Sequence, residues 1–165
     1  MPESDVPESL PSDHAAESYE RGLALRKAGL FKQAIEQFEK AASDPALALK
    51  AYAQIGLSQK SCDRYEEAVT AFRNALKSPG ATTKETVQIL YVLGRTLESL
   101  GSIAEALEAY RWLRREDRLY RDVGERIDAL SKGRKRAELR STQTEAKAET
   151  SQHLHAWQSL LRNAK

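Results

Sequence analysis

The sequence repeats one pattern of small and aromatic residues three times, and this repetition restricts the possible folds more than any other feature. The three copies, separated by 34 and then 38 residues, are Gly22, Phe31, Ala34, Phe38 and Ala41; Gly56, Tyr65, Ala68, Phe72 and Ala75; and Gly94, Ile103, Ala106, Tyr110 and Leu113. A period of this length is typical of proteins in which each unit buries its apolar face against the next unit. The sequence therefore predicts a stack of similar units.

Each copy has the pattern of two helices joined by a short break. Its apolar residues recur at helical spacing in two runs, and the runs are separated at residues 27–29, 61–63 and 100–102. A glycine inside a helix costs about 1 kcal/mol relative to alanine, so Gly22, Gly56 and Gly94 need a reason. We expect each glycine to allow close approach of the alanine at the start of the second helix (Ala34, Ala68 and Ala106), while the aromatic residue fills the gap toward the next hairpin.

The helical glycine, the turn and the Ala, aromatic, Ala series of the second helix resemble the tetratricopeptide repeat over about residues 15–115. The resemblance implies an all-α fold, a right-handed α-solenoid of three such helical hairpins plus a C-terminal capping helix. The repeats are predicted at about 15–46, 49–80 and 84–116. The sequence departs from the family pattern at Ser18, where a Trp is usual, and at Pro45 and Pro79, which come one residue early.

Composition divides the chain into three predicted regions. The first 14 residues contain four acidic residues and no Lys or Arg, which indicates an acidic flexible tail at 1–14. The repeat domain follows at 15–132, and its capping helix at 118–132 has an apolar face formed by Tyr120, Val123, Ile127 and Leu130 and is closed by Gly133. Residues 133–165 are predicted to be a basic tail, flexible or partly helical.

The resemblance also implies a binding surface, because in the family the first helix of each hairpin lines a groove that holds an extended or helical peptide. The groove positions carried over in register are Tyr19, Leu23, Arg26, Lys50, Ala53, Leu57, Lys60, Tyr91, Arg95 and Glu98. This set combines apolar and cationic side chains, so we expect a protein or peptide partner with an apolar anchor flanked by acidic groups. The alternative is that these positions are ordinary solvent-facing or packing residues.

Family members that bind the acidic carboxyl termini of heat-shock chaperones use a clamp of Lys and Asn side chains. The corresponding positions here are Tyr19, Leu23, Gln54, Gln88 and Val92. The clamp residues are absent, and a chaperone-tail adaptor is therefore disfavoured.

The C-terminal tail contains a second candidate region. Leu154, Trp157 and Leu161 lie at i, i+3 and i+7, which would give a short helix one apolar face. This face would dock on a partner, fold back on the stack or pair two copies, and the alternative is a frayed terminus. The basic cluster at 132–136 favours a solvated helix end or linker over a nucleic-acid site, because no aromatic residues interrupt it.

The sequence contains no motif typical of an enzyme. Glycine-rich phosphate loops, His-Glu-x-x-His, paired cysteines and nucleophile elbows are missing. The three histidines, His14, His153 and His155, fall in the predicted tails, and Cys62 falls in the break of the second hairpin, where an inert thiol is favoured. We predict no catalytic, cofactor or metal site.

These observations favour a non-catalytic protein-protein interaction adaptor or scaffold. The alternative function is a structural assembly protein that self-associates or docks through the C-terminal helix with Trp157. The first residues are acidic and lack the basic and apolar regions of a secretory signal, and no apolar stretch reaches the roughly 20 residues that a membrane span needs. We expect a cytoplasmic protein with no membrane span and no nucleic-acid partner; homo-oligomers remain open.

Overall fold

A computed structural model describes residues 11–162, without the side chains of residues 157 and 160–162. The described residues are helical, with no strand among them, and form two compact units that divide at Gly124. The helices are α1 (Asp13–Lys27), α2 (Phe31–Ala42), α3 (Pro45–Ser61), α4 (Tyr65–Lys77), α5 (Thr83–Ser99), α6 (Ile103–Glu116) and α7 (Val123–Arg162).

The three predicted hairpins are confirmed as α1–α2, α3–α4 and α5–α6. Each helix from α1 to α5 packs against the next one along the chain, so every hairpin contacts its neighbour. The second helices bury one apolar face each, and Phe38, Phe72 and Tyr110 on these faces are almost completely buried. The fold is thus an all-α stack of helical repeats, as the period of the sequence predicted.

The first helix of each hairpin begins with a side-chain cap, and the second helix does not. Ser12, Asp44 and Thr82 accept hydrogen bonds from backbone N–H groups in the first turns of α1, α3 and α5. Asp44 also accepts a hydrogen bond of 2.7 Å from the Ser12 N–H, which joins the starts of α1 and α3. These caps satisfy N–H groups that a helix otherwise leaves unpaired. Helix α1 therefore begins at Asp13, inside the region predicted as a tail.

The turns within the hairpins share one backbone conformation. Gly29 and Gly101 have φ of 77° and 73°, and Asp63 occupies the same place in the second hairpin with φ of 57°. This left-handed region is open to glycine and is tolerated by aspartate. The Tyr65 hydroxyl donates to Asp63 Oδ1 at 2.9 Å and contacts this turn.

The helical glycines face the aromatic rings, which corrects our expectation that they make room for alanines. A Cβ atom added to Gly22 or Gly56 would lie 2.6 Å from Cε1 of Phe38 or Phe72, and one added to Gly94 would lie 2.5 Å from Cε1 of Tyr110. The nearest atoms in all three cases belong to the ring of the same hairpin. Each ring therefore lies directly on the backbone of the first helix, where any larger residue would collide with it.

The segment after α6 is a turn, and the predicted start of the capping helix at 118 is wrong. The Asp117 carboxylate accepts a hydrogen bond of 3.0 Å from the Leu119 N–H, and Arg121 has φ of 47°, so the chain leaves helical geometry here. Tyr120 consequently lies outside α7. Its ring packs against Tyr91 with centroids 5.6 Å apart, and the Arg121 guanidinium lies 4.9 Å from the Tyr91 ring centroid.

Helix α7 continues through Gly133, where we predicted that the capping helix would end. The glycine has open space around its Cα, and the flanking Lys, Arg, Ala, Glu and Leu residues are strong helix formers. Arg134 Nε donates to Glu138 Oε1 at 2.8 Å one turn further on. These local contributions outweigh the cost of one glycine.

We predict that Gly56→Ala destabilises the protein, although Gly to Ala within a helix normally stabilises it by about 1 kcal/mol. The new methyl group would press on the buried Phe72 ring, and overpacking of this kind costs about 1–3 kcal/mol. Urea denaturation followed by circular dichroism measures the change in the free energy of unfolding.

Gly133→Ala is the matched control, because nothing lies within 4 Å of an added Cβ at that position. It should raise helicity or leave stability unchanged. The double variant Gly56→Ala with Phe72→Leu should lose less stability than the two single variants together, since the smaller side chain relieves the collision. Additive losses would contradict the ring contact as the reason for the glycine.

Candidate functional site

A depression of about 230 Å³ lies on the first helices of the hairpins. We call it the inner depression, and its lining residues are Tyr19 from α1; Leu49, Lys50, Ala53, Gln54 and Leu57 from α3; Phe72 from α4; and Glu85, Gln88, Ile89 and Val92 from α5. Consecutive members on α3 and on α5 are one or three positions apart, which keeps them on one face of each helix. All three hairpins are represented.

The lining is mostly apolar, and its charged groups have opposite signs. Leu49 and Ile89 are buried, while Ala53, Leu57 and Val92 are half-buried and remain accessible from the depression. The charged members are Lys50 and Glu85, and the Lys50 ammonium is close enough to contribute to a lowered pKa of the Glu85 carboxyl. The arrangement can hold an apolar side chain beside a few polar contacts.

Glu85 belongs to the capping box at the start of α5. Its Oε2 accepts hydrogen bonds from the Thr82 N–H at 3.1 Å and from the Thr82 hydroxyl at 2.8 Å. Burial alone would raise the pKa of Glu85, but these hydrogen bonds and Lys50 outweigh it, and the pKa is lowered. The carboxylate is therefore held in place at the edge of the depression.

Gln54 and Tyr19 form the polar part of the depression toward α1. Burial raises the pKa of the Tyr19 hydroxyl, and a hydrogen bond from Gln54 partly opposes this effect. The Gln54 carbonyl oxygen Oε1 is buried and accepts no hydrogen bond. An unsatisfied buried acceptor is unfavourable, so this oxygen is a candidate for pairing with a donor from a bound molecule.

The structure brings together four of the ten predicted groove residues: Tyr19, Lys50, Ala53 and Leu57 line the inner depression. Leu23 packs instead against the apolar core of the first hairpin. Arg26, Lys60 and Arg95 do not line the depression; Arg95 is exposed, and Arg26 and Lys60 are half-buried.

Tyr91 and Glu98 hold structural contacts. Tyr91 is 8% exposed, and its hydroxyl donates to Asp122 Oδ1 at 2.9 Å. Glu98 accepts a hydrogen bond from the Tyr110 hydroxyl. Neither residue lines the inner depression, and a role of either in partner binding stays a prediction.

Several lining residues were absent from the predicted groove. Gln54, Gln88 and Val92 were noted only as places where a clamp is missing. The Thr82 to Glu85 spacing is a recognisable capping box that would have placed Glu85 at the start of α5. Leu49, Phe72 and Ile89 carry no signal beyond that of core residues.

A second depression, of about 420 Å³, lies between α4, α5 and α6. Leu90, Leu93 and Leu97 line it and are nearly buried, and Trp112 at its margin is 37% exposed. Arg73 and Glu105, which form an ion pair, line it as well. Because it involves α4 to α6 and not α1, it provides a control surface for experiments on the inner depression.

The predicted tail residues are only partly described. Leu154 lies on α7 and is 59% exposed, while the side chains of Trp157 and Leu161 lie outside the described part. Docking through these three residues stays a prediction. Among the described residues no group of three or more His, Cys, Asp or Glu side chains is arranged to hold a metal ion. None of the described helices is long and apolar enough to cross a bilayer.

Comparison with known proteins agrees with this architecture. The sequence model of the tetratricopeptide repeat matches residues 63–119, which include α4 to α6. No curated protein matches the chain.

Solved structures with the same arrangement of helices share low identity with the chain. The second repeat domain of human RPAP3 in complex with an HSP70 peptide is 18% identical, with a TM-score of 0.58, over 74% of this chain and 98% of that one. The Yersinia enterocolitica type III secretion chaperone SycD, in complex with a peptide of the translocator YopD, is 12% identical, with a TM-score of 0.61, over 74% and 96%. The yeast Sti1 TPR2AB domain, in an HSP90 complex, is 21% identical, with a TM-score of 0.63, over 77% of this chain and 50% of that one. These similarities support the fold.

We predict that Glu85 contributes to stability near neutral pH. A carboxyl group whose pKa is lowered in the folded state stabilises the protein at pH values above its ordinary pKa of 4.5. This contribution is lost as the pH falls through the lower pKa of the folded state. Glu85→Gln should therefore reduce stability at neutral pH and flatten the loss of stability below about pH 5. Thermal unfolding across this pH range measures both effects.

Glu149→Gln is the control, because this exposed carboxylate accepts no hydrogen bond in the described part of the chain. It should leave the loss of stability below about pH 5 unchanged. Equal flattening by the two variants would show that the capping box of α5 is not the cause.

Proposed function

Because the chain is a tetratricopeptide-repeat protein, we propose that its inner depression binds an extended segment of a partner protein. The chain would then act as a non-catalytic adaptor or scaffold. The observation that carries this proposal is the depression itself, which Tyr19, Ala53 and Val92 line from three successive hairpins. Repeat stacks use such continuous surfaces for binding.

The chemistry of the lining favours one apolar side chain as the anchor. Ala53, Leu57 and Val92 are half-buried, so a ligand side chain would remove their remaining apolar surface from water. The small Ala53 side chain leaves room between its larger neighbours. An apolar anchor surrounded by polar contacts is typical of peptide sites.

The polar residues would orient the backbone of the bound segment. Rotation of the Gln54 amide toward the depression would let its unpaired carbonyl accept a peptide N–H group. Gln88 and Lys50 are exposed members of the lining and supply donors for peptide carbonyl groups. The partner would thus be held by main-chain hydrogen bonds as well as by its anchor.

Acidic groups of the partner would lie outside the anchor. Of the predicted groove cations, only Lys50 lines the depression, and Glu85 lies near it. Of the similar structures, the RPAP3 domain is in complex with an HSP70 peptide and the Sti1 domain is in an HSP90 complex. Since the Lys and Asn clamp is absent here, we propose a different peptide as the ligand.

Filling the depression should weaken peptide binding. Peptides are first selected from a random displayed library with the full chain, and their affinities for variants are then measured by calorimetry. Ala53→Phe should weaken a selected apolar peptide by at least about tenfold, because the new ring occupies the site of the anchor; a tenfold change corresponds to about 1.4 kcal/mol.

Trp112→Ala is the matched control, since it changes the second depression. It should leave the affinity unchanged, and circular dichroism should show that both variants are folded. Peptides that bind the Ala53 variant as well as the parent chain, or that require Trp112, would contradict the proposed site.

Gln54→Leu should separate binding from stability. The substitution removes an unsatisfied buried acceptor, which costs about 1–3 kcal/mol. The free energy of unfolding should therefore stay equal or rise, while peptide affinity falls severalfold. A large loss of stability together with unchanged affinity would show that Gln54 has only a structural role.

A further inference from the structure

Helix α7 exposes a long stretch that nothing among the described residues covers. Every residue from 132 to 156 whose side chain is described is exposed, on all sides of the helix. Short isolated helices are marginal in water, and this one is supported by its composition of Ala, Glu, Lys, Arg and Gln. A helix of this kind is available to a surface that it contacts along its length.

The charges of this stretch are segregated around the helix axis. At 100° per residue, four of the six cations in this stretch fall within an arc of about 80°, while Arg134 falls among the acidic residues and Lys135 between the two sides. These four are Lys132, Arg136, Arg140 and Lys147. The three acidic residues of the stretch, Glu138, Glu145 and Glu149, fall on the opposite side. The hydrophobic pattern alone does not show this, because the segregation concerns charge.

Ion pairing follows the same division. Arg134, which lies on the acidic side, is paired with Glu138 at 2.8 Å. The four cations of the opposite side form no ion pair in the part of the chain that the structure describes. Their charge is therefore uncompensated and available to an anionic partner.

Two exposed leucines lie on the same side as the four cations. Leu139 is 62% exposed between Arg136 and Arg140, and Leu154 is 59% exposed two turns after Lys147. We call the surface formed by these four cations and two leucines the basic face. The phosphate backbone of a nucleic acid provides no apolar surface for the exposed leucines. A bilayer interface provides anionic headgroups next to the apolar acyl region.

We propose that the basic face of α7 binds the surface of an anionic lipid bilayer. The helix would lie in the plane of the membrane, with its cations at the lipid phosphates and its leucines at the start of the acyl region. From Lys132 to Leu154 the face is about 33 Å long, which a flat surface can contact throughout. This is peripheral attachment and needs no spanning helix.

The test is sedimentation of the full chain with vesicles of phosphatidylcholine alone or with one-third phosphatidylserine. The chain should sediment with the anionic vesicles only, and less so at high salt. Arg136→Glu should lower the partition coefficient about tenfold. Arg134→Glu changes the charge by the same amount two residues away on the opposite side, and it should lower partition less than threefold.

A second readout reports the apolar part of the contact. In a Trp112→Phe background Trp157 is the remaining tryptophan, and its emission should shift to the blue with anionic vesicles. Leu154→Asp should reduce both the shift and the partition, while circular dichroism shows α7 intact.

Three outcomes would overturn the proposal. These are no partition into anionic vesicles, equal effects of Arg134→Glu and Arg136→Glu, and tighter binding at equal salt to a nucleic-acid duplex than to vesicles. The last result would assign the basic face to a phosphate backbone.

Discussion

The contact between an aromatic ring and a glycine backbone is the constraint on which the repeat stack depends. It occurs at Gly22, Gly56 and Gly94, each time against the ring of the same hairpin, and it sets how closely the two helices of a hairpin approach. The Phe72 ring that lies on Gly56 also lines the inner depression. The residue that fixes the hairpin therefore contributes to the candidate site, so the shape of the site follows from the same packing as the fold.

The sequence predicted the hairpins because their determinants are local and repeated. The spacing of the apolar residues and the breaks at 27–29, 61–63 and 100–102 identified the hairpins. The caps at Ser12, Asp44 and Thr82, which set where the first helices begin, were not part of the prediction. The role of the glycines was missed, because spacing shows that a close approach exists without showing which side chain makes it. Gly133 was wrongly predicted to end the capping helix. One unfavourable residue does not end a helix when the residues around it are strong helix formers.

The candidate site was predictable where the repeat pattern decides the surroundings of a residue. Ala53 and Leu57 lie where the pattern places them, whereas Tyr91 does not, although it shares the register of Ala53. Its surroundings come from Tyr120 and Asp122, in a turn that follows the last repeat and has no counterpart in the earlier ones. A repeat pattern does not predict contacts made by residues outside the repeats.

The two proposed surfaces differ in the physics of their binding. The inner depression combines apolar groups with hydrogen bonds and carries one cation beside one anion, so ionic strength should affect it little. The basic face of α7 presents unpaired cations on an exposed helix. At about 0.1 M salt, electrostatic interactions of such exposed charges are largely screened beyond about 10 Å. A net charge of +2 conceals this difference, because the sum does not record on which side of a helix each charge lies. The two proposed surfaces therefore differ in how strongly their binding should depend on ionic strength.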